Sequence, residues 1–191
     1  MNTIKTDKAF LDIYEFHEYK NLLLSCIDEI KNKLIDKPQI TVFGKKCYQQ
    51  RSIGFFSNSS IGYYYSNQIA KSIPLTNSLS IVLDLINNKF NADFNGILVN
   101  KYKDGNDYIS AHSDDEKTLD SVGVVAISVG AIRTFRIRSK IDKKIHTDIK
   151  TASFQIIHMY GDFQKEFTHE IPIEKKVTET RYSLTFRKHL N

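Results

Sequence analysis

Arg181-Tyr182-Ser183-Leu184-Thr185-Phe186-Arg187 alternates without a break. Tyr182, Leu184 and Phe186 fall on one side of an extended chain, and Arg181, Ser183, Thr185 and Arg187 on the other. Period-two alternation predicts a strand with one apolar and one strongly polar face. The polar face has an arginine at each end, with Cα atoms roughly 20 Å apart at about 3.3 Å per residue. Two long side chains leaning inward can grip the ends of a short dicarboxylate, because guanidinium groups pair with carboxylates in a fork. Taken alone, the stretch also fits an edge strand with its charges in water.

Upstream of this strand the chain changes character near residue 95. Short alternating or β-branched runs follow one another at Gly96 to Tyr102, Val122 to Val129, Thr134 to Arg138, Thr147 to Thr151 and Phe154 to Met159. Before them, Leu22, Leu23, Cys26, Ile27, Ile30 and Leu34 recur at helical spacing between Glu18 and Leu34. A second helix is predicted after Pro74, with Leu75, Leu79, Val82, Leu83 and Ile86 on one stripe and Asn87-Asn88 near its end. Helices first and many short strands after predict an α+β protein. Its core would be a double-stranded β-helix, or jelly-roll, that holds ligands in its mouth. No repeat or low-complexity tract divides the chain. Residues 1–191 are expected to form one domain, with helical support over about 1–95 and the jelly-roll over about 96–190.

The strand run also carries His112-Ser113-Asp114 and, far downstream, His169. On an extended segment His112 and Asp114 point to the same face, a spacing that suits two cis metal ligands. Two imidazoles and one carboxylate make the facial triad that holds non-haem Fe(II), with open positions for a bidentate co-substrate and dioxygen. The third ligand must come from a strand facing the first across the barrel. His169, just before Glu170-Ile171-Pro172 and the last strand, is the best placed. His158 lies among Ile156, Ile157 and Met159 and reads as a core or surface histidine, and His146 lies in a turn after Lys143-Lys144. With the triad upstream, the arginine-bearing strand reads as a 2-oxoglutarate clamp. Asn100 and Tyr102 are two apart on a predicted strand, so they can point into the barrel together.

Composition bounds these readings. A chain of 191 residues that is 41% hydrophobic can bury one sizeable core. Cys26 and Cys47 are the only cysteines, which excludes a Cys-rich zinc module or a disulfide framework and fits a reducing compartment. No apolar run approaches a membrane span and the first residues lack a signal-peptide core, so a soluble intracellular protein is expected, without a membrane partner and monomeric. With 27 Lys and Arg against 22 Asp and Glu, the net charge is +5, which favours approach to a polyanion. The basic residues come as pairs and short strings, among them Lys45-Lys46, Lys175-Lys176 and Arg133/Arg136/Arg138/Lys140. Each reads by default as a solvated surface.

These pieces together resemble the AlkB family of Fe(II)- and 2-oxoglutarate-dependent nucleic-acid dioxygenases. The resemblance is carried by Asn100-Lys101-Tyr102-Lys103-Asp104-Gly105, His112-Ser113-Asp114-Asp115-Glu116, Ser128-Val129-Gly130-Ala131 and Arg181-Tyr182-Ser183-Leu184-Thr185-Phe186-Arg187-Lys188. It runs from about Val42 to Leu190 and is closest to members that repair double-stranded DNA. It implies Fe(II) on His112, Asp114 and His169, with 2-oxoglutarate and O2 as co-substrates. Asn100 and Tyr102 would hydrogen-bond 2-oxoglutarate, Arg181 would hold its distal carboxylate, and Thr185 and Arg187 would support the chelating end. The implied activity is oxidative demethylation of N1-methyladenine and N3-methylcytosine, releasing formaldehyde and succinate.

On the substrate side, Val42-Phe43-Gly44-Lys45 resembles the hairpin finger that fills the gap left by an extruded base. A buried strand with Phe43 in the core is the competing reading. Arg51 to Phe56 and Ile61 to Tyr65 resemble the nucleotide-recognition lid, where Tyr63 and Tyr65 share one face and could stack on a flipped base or simply fill the core. Glu116 matches the acidic residue that contacts the exocyclic amine of a cationic methylated base, and also fits a solvent-facing turn. The chain departs from the family at Gln50-Arg51, where Pro-Arg is frequent, at Ser57-Asn58-Ser59-Ser60 and at Ser183, where asparagine is common. Those departures leave the iron chemistry untouched and leave room for methylated RNA or a protein side chain in place of duplex DNA; a nucleic-acid-binding module without turnover is a separate alternative. A nuclear location is expected in a eukaryote and a cytoplasmic one otherwise.

Overall fold

The computed structural model describes residues 2–42, 44–60, 62–65, 68–114 and 122–188. In chain order the elements are β1 (Asn2–Lys5), β2 (Ala9–Glu15), α1 (Lys20–Ile30), β3 (Gln39–Val42), β4 (Lys45–Tyr48), β5 (Ser52–Phe56), β6 (Gly62–Tyr65), β7 (Gln68–Ile73), α2 (Asn77–Phe90), β8 (Gly96–Tyr102), β9 (Ile109–His112), β10 (Val124–Gly130), β11 (Arg133–Ser139), β12 (Ile145–Thr151), β13 (Gln155–Gly161), α3 (Phe163–Glu166), β14 (Phe167–Ile171) and β15 (Arg181–Arg187). Among the described residues they form a major sheet in the order β1-β2-β13-β10-β15-β8-β5-β7-β6, a minor sheet β12-β11-β14-β9, and a separate ribbon β3-β4. Pairing is antiparallel throughout except between β5 and β7.

Strand β15 shows why two layers form on either side of the major sheet. Its apolar residues Leu184 and Phe186 are fully buried with Leu23, Cys26 and Ile30 of α1 and Leu79, Val82 and Ile86 of α2. Its polar residues face the other way, into the space closed by the minor sheet, where Tyr102, Val124, Phe135, Ile157, Met159 and Ile171 form a second core. Both helices follow from their stripes. Thr76 caps α2 by accepting the Leu79 N–H, and Asn91, at φ 47°, closes it in the left-handed region where asparagine is tolerated. Glu29 ties the helices together by accepting the Ser78 hydroxyl at 2.7 Å.

The jelly-roll is as expected, and β8 has the expected limits. Helix α1 stops at Ile30, four residues short of the periodic stripe. Two larger differences lie before residue 95. Strands β1 and β2 extend the major sheet, β2 pairing with β13 over seven residues from Gln155↔Glu15 to Gly161↔Ala9. The alternation of Ala9, Leu11 and Ile13 is too short to stand out, and pairing to β13 fixes it. Ser52–Phe56, matched to the recognition lid, is buried along its whole length between β8 and β7. Val42, Tyr63 and Tyr65 are described by their backbone only, at the end of β3 and in β6, and Phe43 and Glu116 lie outside the described residues.

The basic string on β11 is not a solvated patch. Arg133 is fully buried; its Nη2 donates to the carbonyls of Asp107 (2.8 Å) and Pro172 (2.7 Å), Nη1 to that of Asp104 (2.9 Å) and Nε to Glu174 (3.1 Å). Arg136 forks onto Asp148 with two bonds of 2.8 Å, and Arg138 meets Glu170 at 2.8 Å. Arg133 is thus an interior residue, whereas Arg136 and Arg138 are partly exposed and paired to carboxylates. Period-two patterning cannot distinguish an inward arginine from an outward one, since the carbonyl cage that accepts Arg133 is built by residues distant in sequence.

Glu174 has its own consequence. Burial opposes its charge, but bonds from the Thr134 N–H, Lys150, the Thr134 hydroxyl and Arg133 outweigh that and hold its carboxyl at about 2, below its ordinary 4.5. A depressed folded value contributes stability above the unfolded value and loses it as pH falls toward about 2. Glu174→Gln is therefore expected to cost about 2 kcal/mol at neutral pH. Urea titrations at stepped pH should show the gap between variant and wild type closing between about pH 5 and pH 2.

Candidate metal and co-substrate site

The register of the minor sheet brings the two histidines together. His112 at the end of β9 is the direct cross-strand partner of His169 in β14, and their ring centroids are 4.3 Å apart. Asp114 follows two residues on, held by Gln164 of α3, whose Oε1 accepts the Asp114 N–H at 3.0 Å, while Ser113 turns away to donate to the Phe167 carbonyl. Carboxylate and imidazole atoms of His112, Asp114 and His169 all lie within 4.8 Å of one another, a cluster that could hold a metal ion. Asp114 and His169 are buried and His112 is partly buried.

Each of the three presents the form a cation needs. His112 Nδ1 lies 2.9 Å from the Ser110 carbonyl, which makes Nδ1 the donor and leaves the Nε2 lone pair free. Burial lowers the His169 pKa to about 3, with His112 and Arg187 adding to the effect against Asp114, so its ring is neutral. Burial lowers His112 as well, partly offset by Asp114. Burial disfavours the charge on Asp114, but the Arg187 guanidinium 3.1 Å away outweighs it and keeps the carboxyl well below the usual range. His169 Nδ1 is buried with no hydrogen-bond partner among the described residues, and its ring stacks on Phe135 at 5.1 Å. The donor set of two imidazoles and a carboxylate is that of a non-haem Fe(II) site.

One cavity joins this cluster to the polar face of β15. Arg51, Asn100, Tyr102, His112, Asp114, His169, Arg181, Ser183, Thr185 and Arg187 line it, with Leu98, Ala126, Phe135, Ile157, Met159 and Ile171 as its apolar wall. Register explains the convergence: Arg181 lies opposite Tyr102 and Ser183 opposite Asn100 across β8, and Ser183 opposite Ser128 across β10. Arg181 is 3% exposed, its Nη2 donates to Ser128 Oγ at 2.9 Å, and its Nε and Nη1 have no hydrogen-bond partner among the described residues. Burial lowers its pKa to about 10, which leaves it cationic at neutral pH. A buried cation with two unpaired donors at the far end of the cavity from the histidines fits one carboxylate of a short dicarboxylate. The other arginine is engaged differently, since Arg187 Nη2 lies 3.1 Å from Asp114 Oδ1.

Tyr102 sits between two guanidinium groups, 5.4 Å from that of Arg181 and 5.7 Å from that of Arg133. Arg51 donates from Nε to Asn100 Oδ1 at 2.6 Å, so it forms part of the cavity wall beside a residue expected to bind co-substrate. Position 105 must be glycine because a Cβ there would lie 1.8 Å from the Glu174 carbonyl oxygen. The rival histidines are elsewhere. His158 bonds to the Val122 carbonyl at 2.6 Å and packs between Phe90 and Tyr160, and His146 is exposed beside Phe167. Gln164 escaped sequence reasoning, and Ser128 and Arg133, read only as part of a family motif and of a basic string, were given no role there, since each acts through partners that only the fold supplies.

Comparison with known proteins follows the same line. The model of the 2OG-Fe(II) oxygenase superfamily matches residues 21–187. The chain is 31% identical over 161 residues to a protein of Bos taurus named DNA oxidative demethylase ALKBH2, covering 80% of this chain and 58% of that one. It is 32% identical to the Mus musculus protein of the same name, covering 80% and 67%. A shorter match, 37% identical over 103 residues, is to the alpha-ketoglutarate-dependent dioxygenase alkB homolog 3 of Rattus norvegicus, covering 49% of this chain and 35% of that one. The solved structure of OsALKBH1 superimposes with a TM-score of 0.63 at 16% identity over 93% of this chain and 97% of that one, a likeness of fold. From these matches the chain belongs to the 2OG-Fe(II) oxygenase superfamily and, within it, to the AlkB family.

Proposed function

We infer that the protein is an oxidative demethylase of N-alkylated bases in DNA, acting on N1-methyladenine and N3-methylcytosine in duplexes. The observation that carries the chemistry is the single cavity that joins His112, Asp114 and His169 to the unpaired donors of buried Arg181. Membership of the superfamily brings Fe(II), 2-oxoglutarate and O2. Bound together, they oxidise an N-methyl group, so that the base is restored while formaldehyde, succinate and carbon dioxide leave. His112, Asp114 and His169 hold the iron. Arg181 and Tyr102 grip the distal carboxylate of 2-oxoglutarate, Asn100 and Thr185 orient its chelating end, and Arg187 fixes the Asp114 carboxylate. The apolar wall of Ala126, Ile157 and Met159 keeps water away from the reacting centre.

The substrate reading draws support from the two relatives named DNA oxidative demethylase and from the ribbon β3-β4, which stands apart from both sheets with Lys45 and Lys46 exposed at the start of β4. A methyl on the Watson–Crick edge is inside the stack, so the base must be extruded. Phe43, which falls between β3 and β4 in sequence, is assigned to fill the gap, Arg51, Tyr63 and Tyr65 to contact the flipped nucleotide, and Glu116 to meet its exocyclic amine. The enzyme acts as a monomer, in the nucleus where the cell has one. Phe43→Ala is expected to lower repair of methylated duplex at least about tenfold, because the wedge offsets part of the few kcal/mol of unstacking. Single-stranded repair should change little. Measurement of restored adenine in methylated duplex, single-stranded DNA and RNA checks this. Repair confined to RNA, or none of any strand, contradicts the reading.

A further inference from the structure

Segment 103–108 joins β8, which carries Asn100 and Tyr102, to β9, which ends in His112. Asp107 within it is 3% exposed. Its Oδ2 accepts the Lys103 N–H at 2.8 Å, its carbonyl accepts Arg133 Nη2 at 2.8 Å, and its Oδ1 lies 2.9 Å from Lys37 Nζ. Lys37 is half-exposed, adopts φ 40°, and stands two residues before β3. Next to it, Ser52 Oγ donates to Asp36 Oδ1 at 2.8 Å, and the Gln49 N–H to the Pro38 carbonyl at 3.0 Å. The bond to Asp107 raises the Lys37 pKa.

A two-stranded ribbon is marginal alone, so its direction depends on how its root is held. We propose that Lys37 and Asp107 are positioning residues that fix the root of the β3-β4 hairpin against the segment linking the co-substrate strand to the metal-bearing strand. The hairpin then meets duplex DNA at the angle that base extrusion requires. This rests on the duplex-DNA reading above. The tie touches neither substrate base nor metal. It acts by setting where the hairpin stands relative to His112, and an ion pair with one buried partner has a defined geometry that a pair in open water lacks.

Lys37→Met and Asp107→Asn remove opposite charges from the same tie. As charges alone they would move DNA affinity in opposite directions, the first weakening and the second strengthening attraction to phosphates. As a tie they act alike. Duplex kcat/KM is expected to fall about tenfold in both, since a displacement on the order of 1 Å far from the chemistry has effects of this size or larger. Single-stranded repair should stay within about twofold, Lys37→Arg should restore duplex repair, and amide hydrogen exchange over 39–48 should quicken in both variants while 181–187 holds. Opposite-signed effects, equal losses on both substrates, or unchanged exchange would overturn the proposal. If the wild type repairs neither substrate, the duplex reading fails and the role assigned to the tie falls with it. With wild-type repair present, the variants alone decide.

Discussion

Asp114→Ala is expected to lose Fe(II) binding and to lower succinate formation by more than about 10²-fold, since even a residue that only orients a metal ligand through a hydrogen bond is worth about 10–100-fold. It should also lower the stability of the metal-free protein by about 3 kcal/mol, because it withdraws the carboxylate that a 1% exposed Arg187 meets at 3.1 Å. His112→Ala separates the two effects. That ring is 20% exposed, and among the described residues its hydrogen bond is from Nδ1 to the Ser110 carbonyl, with Asp114 no nearer than 3.8 Å, so the variant should lose the metal with a smaller loss of metal-free stability than Asp114→Ala. Isothermal titration with Fe(II) under argon and urea unfolding of both variants check the pair. Full iron affinity in Asp114→Ala would remove the carboxylate from the site.

The second large effect belongs to Arg181. Arg181→Ala is expected to raise the KM for 2-oxoglutarate by about 10²-fold, equivalent to about 3 kcal/mol for two charge-assisted hydrogen bonds. The KM for DNA should be unchanged. Arg181→Lys should recover little, because an ammonium cannot fork onto a carboxylate while keeping the bond to Ser128. Burial lowers the Arg181 pKa but leaves the guanidinium charged at neutral pH, so the 2-oxoglutarate KM should be flat through neutrality. Succinate formation at stepped 2-oxoglutarate concentrations measures this. A KM that moves for DNA instead would place Arg181 on the substrate side.

Most of the jelly-roll was legible because its strands carry period-two patterns of their own. The alternation of β15 separates Leu184 and Phe186, under the helices, from Arg181, Ser183, Thr185 and Arg187, in the cavity. His112-Ser113-Asp114 was legible for the same reason, its two chemically distinctive groups standing two residues apart. What stayed hidden depends on contacts between distant segments. Arg133 reads like Arg136 and Arg138 in sequence, yet carbonyls of Asp104, Asp107 and Pro172 cage it in the interior. Strand β2 owes its place to β13, and β5 owes its burial to β8 and β7 on its flanks. Arg51 was expected on a lid from resemblance, and its bond to Asn100 puts it beside the co-substrate strand as well. Gln164 carried no signal, since its part is to accept one backbone N–H at Asp114.

On the proposed function, one cavity couples decarboxylation of 2-oxoglutarate to removal of a methyl group from a DNA base. The most direct measurement loads the protein anaerobically with Fe(II) and 2-oxoglutarate, adds a duplex carrying one N1-methyladenine, admits oxygen, and counts products in a single turnover. Succinate, formaldehyde and restored adenine are expected in equal amounts from the wild type, with none from His112→Ala. Succinate formed without formaldehyde or restored adenine would contradict the claim.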